Sequence, residues 1–156
     1  SYKLLTQNIT KNGIENITAF QQAVWSRNGQ LNLDLSSGEP LQISSTENAS
    51  IHDTLESVSV EAVSLESIVQ RENLSHIDLL KLDCEGAEYE ILMDAAPKVL
   101  ICIQRIIMEY HDVDEKHHHS ILENFLESQG FSVKRHHNFV HDNIGYLYAE
   151  QEEKNE

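Results

Sequence analysis

Lys81-Leu82-Asp83-Cys84-Glu85-Gly86-Ala87-Glu88 and Glu109-Tyr110-His111 are the stretches of this chain whose residue types and spacing could carry chemistry. On extended backbone Lys81 and Asp83 point to one side, as do Glu109 and His111. If the two stretches are neighbouring strands, these four side chains converge at one sheet edge. His111 could then serve as general base for a substrate hydroxyl, since an ordinary imidazole titrates at about pH 6.5. Asp83 or Glu85 could instead position that hydroxyl or bind a divalent ion. A charged Lys81 inside a covered sheet needs a partner, and Glu109 is the natural one, although that pair could be purely structural. Gly86 would let the backbone turn tightly or approach a ligand. Glu85 and Glu88 fall near a first helical turn, where the dipole favours negative charge, so the acids could also do no more than stabilise a helix start.

A second constellation is His117-His118-His119, with His111, Asp112, Asp114 and Glu115 nearby. Adjacent histidines on a helix point about 100° apart and cannot all face one ion. That leaves His111 with one of them and Asp112 or Asp114, set against a solvated helix start, and no metal site is assigned. His136, His137 and His141 with Asp142 form a looser surface group.

The elements that must position these residues are legible in the hydrophobic pattern. Leu4, Leu5 and Ile9 predict a helix stopped at Asn12-Gly13. Ile17–Phe20 reads as a short strand followed by Ala23-Val24-Trp25, and Asn28-Gly29 as a hairpin-grade turn before alternating Leu31, Leu33 and Leu35. Residues 36–54 are loop-like. Val58–Val63 is a strand of alternating valines, and Ser64 is a plausible cap for a short helix. Ile77–Asp83 is a near-continuous apolar strand, as expected with both faces covered. Glu85–Met93 reads as helix, Arg105–Tyr110 as a second buried strand, and Glu115–Gln129 as a helix ended by Gly130. Phe131–Arg135 and Tyr146–Ala149 look like closing strands that can pair antiparallel. Alternation of this kind predicts an α/β sheet with helices on its faces, in one domain.

Composition narrows the partners. The 26 acids against 11 Lys and Arg give a formal charge of −15, which phosphate backbones repel, so nucleic acid is not an expected partner. No apolar run approaches the roughly 18 residues of a membrane span, so no membrane partner is expected. The N-terminus lacks the charged and apolar regions of a secretory signal, making a cytoplasmic location the default expectation. Cys84 and Cys102 fit buried reduced thiols better than a disulfide.

Residues Ile77 to Leu92, above all Lys81-Leu82-Asp83-Cys84-Glu85-Gly86-Ala87-Glu88, closely resemble the hallmark segment of FkbM-type methyltransferases. Gln22-Ala23-Val24-Trp25 with Gly29, Val63-Ser64-Leu65-Glu66-Ser67-Ile68, Ile107-Met108-Glu109-Tyr110-His111 and Gly145-Tyr146-Leu147-Tyr148-Ala149 resemble other family pieces in the same order. The resemblance implies a class I, S-adenosylmethionine-dependent fold: a Rossmann-like α/β sheet of strand order 3-2-1-4-5-7-6. It begins just before the third strand, so the sheet is expected to be incomplete, with its first two strands missing and an antiparallel pair at its C-terminal side. Residues 1–150 would be the partial methyltransferase domain and 151–156 a charged tail.

The family usually grips the cofactor's methionine end with a Gly-X-Gly loop. The six glycines, at 13, 29, 38, 86, 130 and 145, form none. Cofactor binding is therefore expected to be weak, with Gln22 and Ala23, placed after the third strand, as adenine-side contacts and Asp83 at the carboxyl edge of the sheet. The third strand would have no neighbour, and the fourth would expose a long apolar edge that invites a second copy or a rearranged sheet. The implied activity is O-methylation of a hydroxyl on a sugar or other small molecule, with Lys81, Asp83, Glu85, Glu109 and His111 as catalytic candidates. Non-catalytic self-association and metal-dependent hydrolysis are the rival readings.

Overall fold

The computed structural model describes residues 2–34, 42–44 and 57–152. Helix α1 (Tyr2–Lys11) ends as its sequence predicts. Gly13 adopts φ +61°, and Ile14 and Gly13 donate N–H bonds to Ile9 and Thr10 carbonyls at 3.1 and 3.2 Å, which is the Schellman closure. The expected strand at Ile17–Phe20 does not form, and the strand there is β1 (Ala23–Trp25) alone. Residues 17–20 face other elements instead: the Ala19 carbonyl accepts the Tyr2 hydroxyl at 3.5 Å, and the Arg71 guanidinium lies 4.2 Å above the Phe20 ring.

Strands β2 (Gly29–Asp34), β3 (Gln42–Ser44) and β4 (Ser57–Ser64) complete a first sheet, in the order β1-β4-β2-β3. β3 lies inside the stretch read as loop; the rest of that stretch, and Leu35, lie outside the described residues. Asn28-Gly29 does not close a β1–β2 hairpin, because β4 sits between those strands, parallel to β1 (Ala23↔Ala62) and antiparallel to β2 (Gly29↔Ala62). The Asn28 side chain secures this arrangement, accepting the Ser64 N–H and donating to Ser67 Oγ, both at 2.8 Å. The third strand of the expected sheet thus has a neighbour after all. Ser64 caps helix α2 (Leu65–Arg71), as predicted, by accepting the Ser67 N–H at 3.2 Å.

The remaining elements are β5 (Leu80–Leu82), α3 (Glu88–Met93), α4 (Pro97–Ile101), β6 (Arg105–His111), α5 (His119–Ser128), β7 (Phe131–His137) and β8 (Ile144–Gln151). They build a second sheet, β5-β6-β8-β7, in which β5 and β6 run parallel and β8 is antiparallel to both β6 and β7. The described strands therefore form two sheets rather than the single one expected. The strand read across 77–83 shortens to a three-residue ladder plus one bridge, Ile77↔Ile103. Leu79 is 53% exposed, because among the described residues β5 pairs on one side only. The open edge is correspondingly short rather than long.

Leu82, Ile106, Met108 and Leu147 of this sheet are buried against Leu92 and Leu100 of α3 and α4 and against Leu122 and Leu126 of α5. Helices as short as α3 and α4 do not persist alone in water. They hold because each such side chain gains about 1.5–3 kcal/mol on burial. Val24 and Trp25 of β1 pack on the same core and join the two sheets. No helix among the described residues is long and apolar enough to cross a membrane.

Gly145 marks where this packing leaves no room. A Cβ there would overlap the ring and hydroxyl of Tyr110, which is fully buried. Gly145→Ala should therefore cost about 1–3 kcal/mol by overpacking, read as a lower urea midpoint with an unchanged slope.

Candidate functional site

The hallmark segment turns before it coils. Glu85 and Gly86 both take positive φ, +53° and +101°, and Ala87 N–H closes the turn on the Cys84 carbonyl at 3.2 Å. The helix expected from Glu85 cannot start inside a left-handed turn, so α3 begins at Glu88. This places Glu88 in the first helical turn with its side chain fully buried. Its Oε1 accepts the Cys84 N–H at 3.3 Å and meets His111 Nδ1 at 3.2 Å. The other ring nitrogen, Nε2, meets Glu85 Oε2 at 3.2 Å. His111, at the end of β6, is thus held between one buried and one half-exposed carboxylate. The hydrogen bond it donates to Glu88, joined by the charges of Glu85 and Glu109, raises its pKa above the ordinary imidazole value against the opposing effect of burial.

Lys81 pairs differently from expectation. Its Nζ contacts Asp83 Oδ2 at 2.7 Å, and Lys81 and Asp83 side chains are 64% and 46% exposed. Because β5 has an open side, Lys81 reaches water and has no need of Glu109 as a buried partner. The hydrogen bond that Lys81 donates to Asp83 raises the Lys81 pKa, and Glu109 adds to it only through its charge. The β5–β6 ladder pairs Lys81 with Ile107 and Leu82 with Met108, which brings Asp83 to the level of Glu109. The candidates therefore gather as two pairs, Lys81–Asp83 and Glu85–His111, with the Glu109 charge acting on both Lys81 and His111.

Gln22 and Ala23 stand elsewhere, on the first sheet. Since β1 starts at Ala23, they lie at its amino end rather than after a strand ending at Phe20. They line an open groove of about 410 Å³ with Phe20, Leu33 and Val60. Gln22 Oε1 accepts Arg71 Nη1 at 2.8 Å.

The turn after β6 was read as the start of a helix at Glu115. Asp114 Oδ1 accepts the Lys116 and His117 N–H groups at 2.8 and 2.9 Å as an N-cap would, but the chain closes a turn there, with the Val113 N–H on the His117 carbonyl at 3.0 Å, instead of continuing into helix. α5 begins only at His119, with His118 as its extended N-cap residue. Three successive residues of α3 grip this turn. Glu88 holds His111, Tyr89 Oη donates to Asp112 Oδ1 at 3.2 Å, and Glu90 meets His117 Nε2 at 3.0 Å. Sequence reasoning left Glu88 out of the candidate set. Its signal was position alone: an acid one turn before buried Ile91 and Leu92, on the face that meets the core.

Cys84 and Cys102 are free thiols, but each is only partly buried rather than buried as expected. Burial, reinforced by Glu88, pushes the Cys84 thiol pKa well up and makes it a poor nucleophile.

Comparison with known proteins adds one match: the family model described as Methyltransferase FkbM domain covers residues 2–133. No curated protein matches the chain.

Proposed function

Since the chain belongs to the FkbM methyltransferase family, we propose that it serves methyl transfer from S-adenosylmethionine to a hydroxyl of a sugar or other small molecule, with His111 as the base. The observation that carries this reading is the double carboxylate clasp on His111, at the carboxyl end of a parallel strand pair, the edge at which α/β sheets bind ligands. The order β5-β6-β8-β7 supports it too, matching the last four strands of the implied 3-2-1-4-5-7-6 sheet.

When bound, S-adenosylmethionine supplies an electrophilic methyl group. Gln22 and Ala23, in a groove with the Phe20 ring and aliphatic walls, offer what a flat purine needs: apolar faces and a side-chain amide. No Gly-X-Gly loop in the sequence cradles the rest, so affinity from these residues is low. Asp83 and Glu85 flank the approach, where they orient the acceptor hydroxyl. His111 Nε2 takes the hydroxyl proton, and the Glu85 and Glu88 carboxylates stabilise the imidazolium that results. Positioning supplies much of the remaining rate.

The test is transfer of labelled methyl to a panel of sugars and small alcohols, paired with calorimetric titration of S-adenosylmethionine. His111→Gln should lower transfer by about 10²–10⁴-fold. The wild-type rate should rise with pH and level off above the ordinary imidazole range, because His111 must be deprotonated to act and its pKa is raised. An unchanged rate in His111→Gln removes the base assignment. The rival reading, a non-catalytic module that self-associates, draws on the unpaired side of β5 with exposed Leu79. Absence of transfer and of cofactor heat, with a dimer in sedimentation, would favour it.

A further inference from the structure

The geometry points to a divalent transition-metal site formed by Asp112, His118 and His119, separate from the proposed base. Their ligand atoms all lie within 4.8 Å of one another. His119 Nδ1 is 2.7 Å and His118 Nε2 3.8 Å from Asp112 Oδ2. Three bonds of zinc length about a tetrahedral ion would set such atoms about 3.4 Å apart. The two distances bracket that spacing, and with no pair wider than 4.8 Å the largest closure needed is no more than about 1.4 Å.

Two neighbouring histidines converge here because the rule for successive helical residues does not apply to them. His118 is extended, at φ −123° and ψ 137°, and only His119 is helical. Their rings lie 4.1 Å apart, tilted by 33°. His117, the third of the run, turns away to Glu90 and Asp114. His111 is not a ligand, since both its nitrogens are engaged by Glu85 and Glu88.

The surroundings suit the task. Tyr89 Oη and the His119 N–H hold Asp112 Oδ1 at 3.2 and 2.6 Å, leaving Oδ2 toward the histidines. His118 Nδ1 accepts the Ser120 N–H at 3.3 Å and lies 2.8 Å from Ser120 Oγ, which fixes the ring, so a metal at Nε2 would take the place of that nitrogen's proton. The Tyr110 ring packs 4.9 Å from His119 and limits its rotation. A helix start disfavours a cation. The Asp112 carboxylate lies against that start, and the chain's formal charge of −15 attracts cations generally. Two imidazoles and one carboxylate select a zinc-like ion, with water in the fourth position. Bound there, the ion would tie the end of β6 to the first turn of α5.

Cobalt(II), as a spectroscopic stand-in for zinc, should give the intense visible bands of a four-coordinate site when titrated into the chelator-treated chain, saturating at one equivalent. His118→Ser keeps a capping hydroxyl and should weaken binding by about 100-fold or more, since even outer partners cost 10–100-fold. His136→Ala, on β7, should leave it unchanged. No saturable band, or a band indifferent to His118→Ser, or one lost equally in His136→Ala, overturns the site. Should His118→Ser fail to fold, imidazole resonances of the wild-type chain decide. Zinc must then shift those of His118 and His119 and spare that of His111; any other pattern refutes the assignment.

Discussion

His111→Ala should lower the unfolding free energy by about 3–5 kcal/mol, because it strips the buried Glu88 carboxylate of the one ion-pair partner it has among the described residues. Glu88 is fully buried, its Oε1 would keep just the Cys84 N–H, and its Oε2 has no hydrogen-bond partner among the described residues. Against a typical total of about 5–15 kcal/mol, that loss brings the chain near its folding limit. Urea unfolding near neutral pH measures it. Adding Glu88→Gln to the same background should recover much of the loss, because a neutral amide costs less to bury than a carboxylate. A loss under about 1 kcal/mol, or no recovery in the double variant, would show that the pair does not anchor the turn.

The pH dependence of this contribution has a definite sign. The folded pKa of His111 lies above its ordinary value, so the folded state binds the proton more tightly than the unfolded chain. The stabilisation is complete below the unfolded imidazole pKa of about 6.5 and fades as pH rises through the folded value. The stability gap between wild type and His111→Gln should therefore narrow on the alkaline side.

Asp112→Ala is the second large effect, expected at about 2–4 kcal/mol. Asp112 Oδ1 accepts both the Tyr89 hydroxyl and the His119 N–H, and Tyr89 is only 2% exposed. Removing the acceptor strands a buried phenol and uncaps the start of α5, each costing about 1–3 kcal/mol. Asp112→Asn keeps one acceptor oxygen and should lose less than half as much. Equal losses in the two variants would mean that volume rather than hydrogen bonding matters here.

Local signals in the sequence were read well where the chemistry is local. Gly13 and Ser64 each close a helix end by bonds within five residues, and both behave as their types predict. The antiparallel pairing of β7 with β8 also followed from two alternating runs around a turn. What failed was non-local or competitive. Nothing between Ala23 and Trp25 announces that β4, some forty residues on, will lie beside them in place of β2. Glu115 to His118 have helix-compatible residues, yet a turn closed by the Val113 N–H on the His117 carbonyl delays the helix to His119. Within the site, the spacing of Asp83, Glu109 and His111 was visible. The burial of Glu88 was not, because it depends on the left-handed turn at Glu85 and Gly86 rather than on pattern.

An imidazole clasped at both nitrogens has only one that it can lend. Nδ1 of His111 is sealed against Glu88 in the interior, while Nε2 meets Glu85, whose side chain is 45% exposed. Under the proposed function, an acceptor hydroxyl reaches the ring only at Nε2, where Glu85 now stands. The left-handed backbone of Glu85 fixes where its carboxylate stands against that nitrogen.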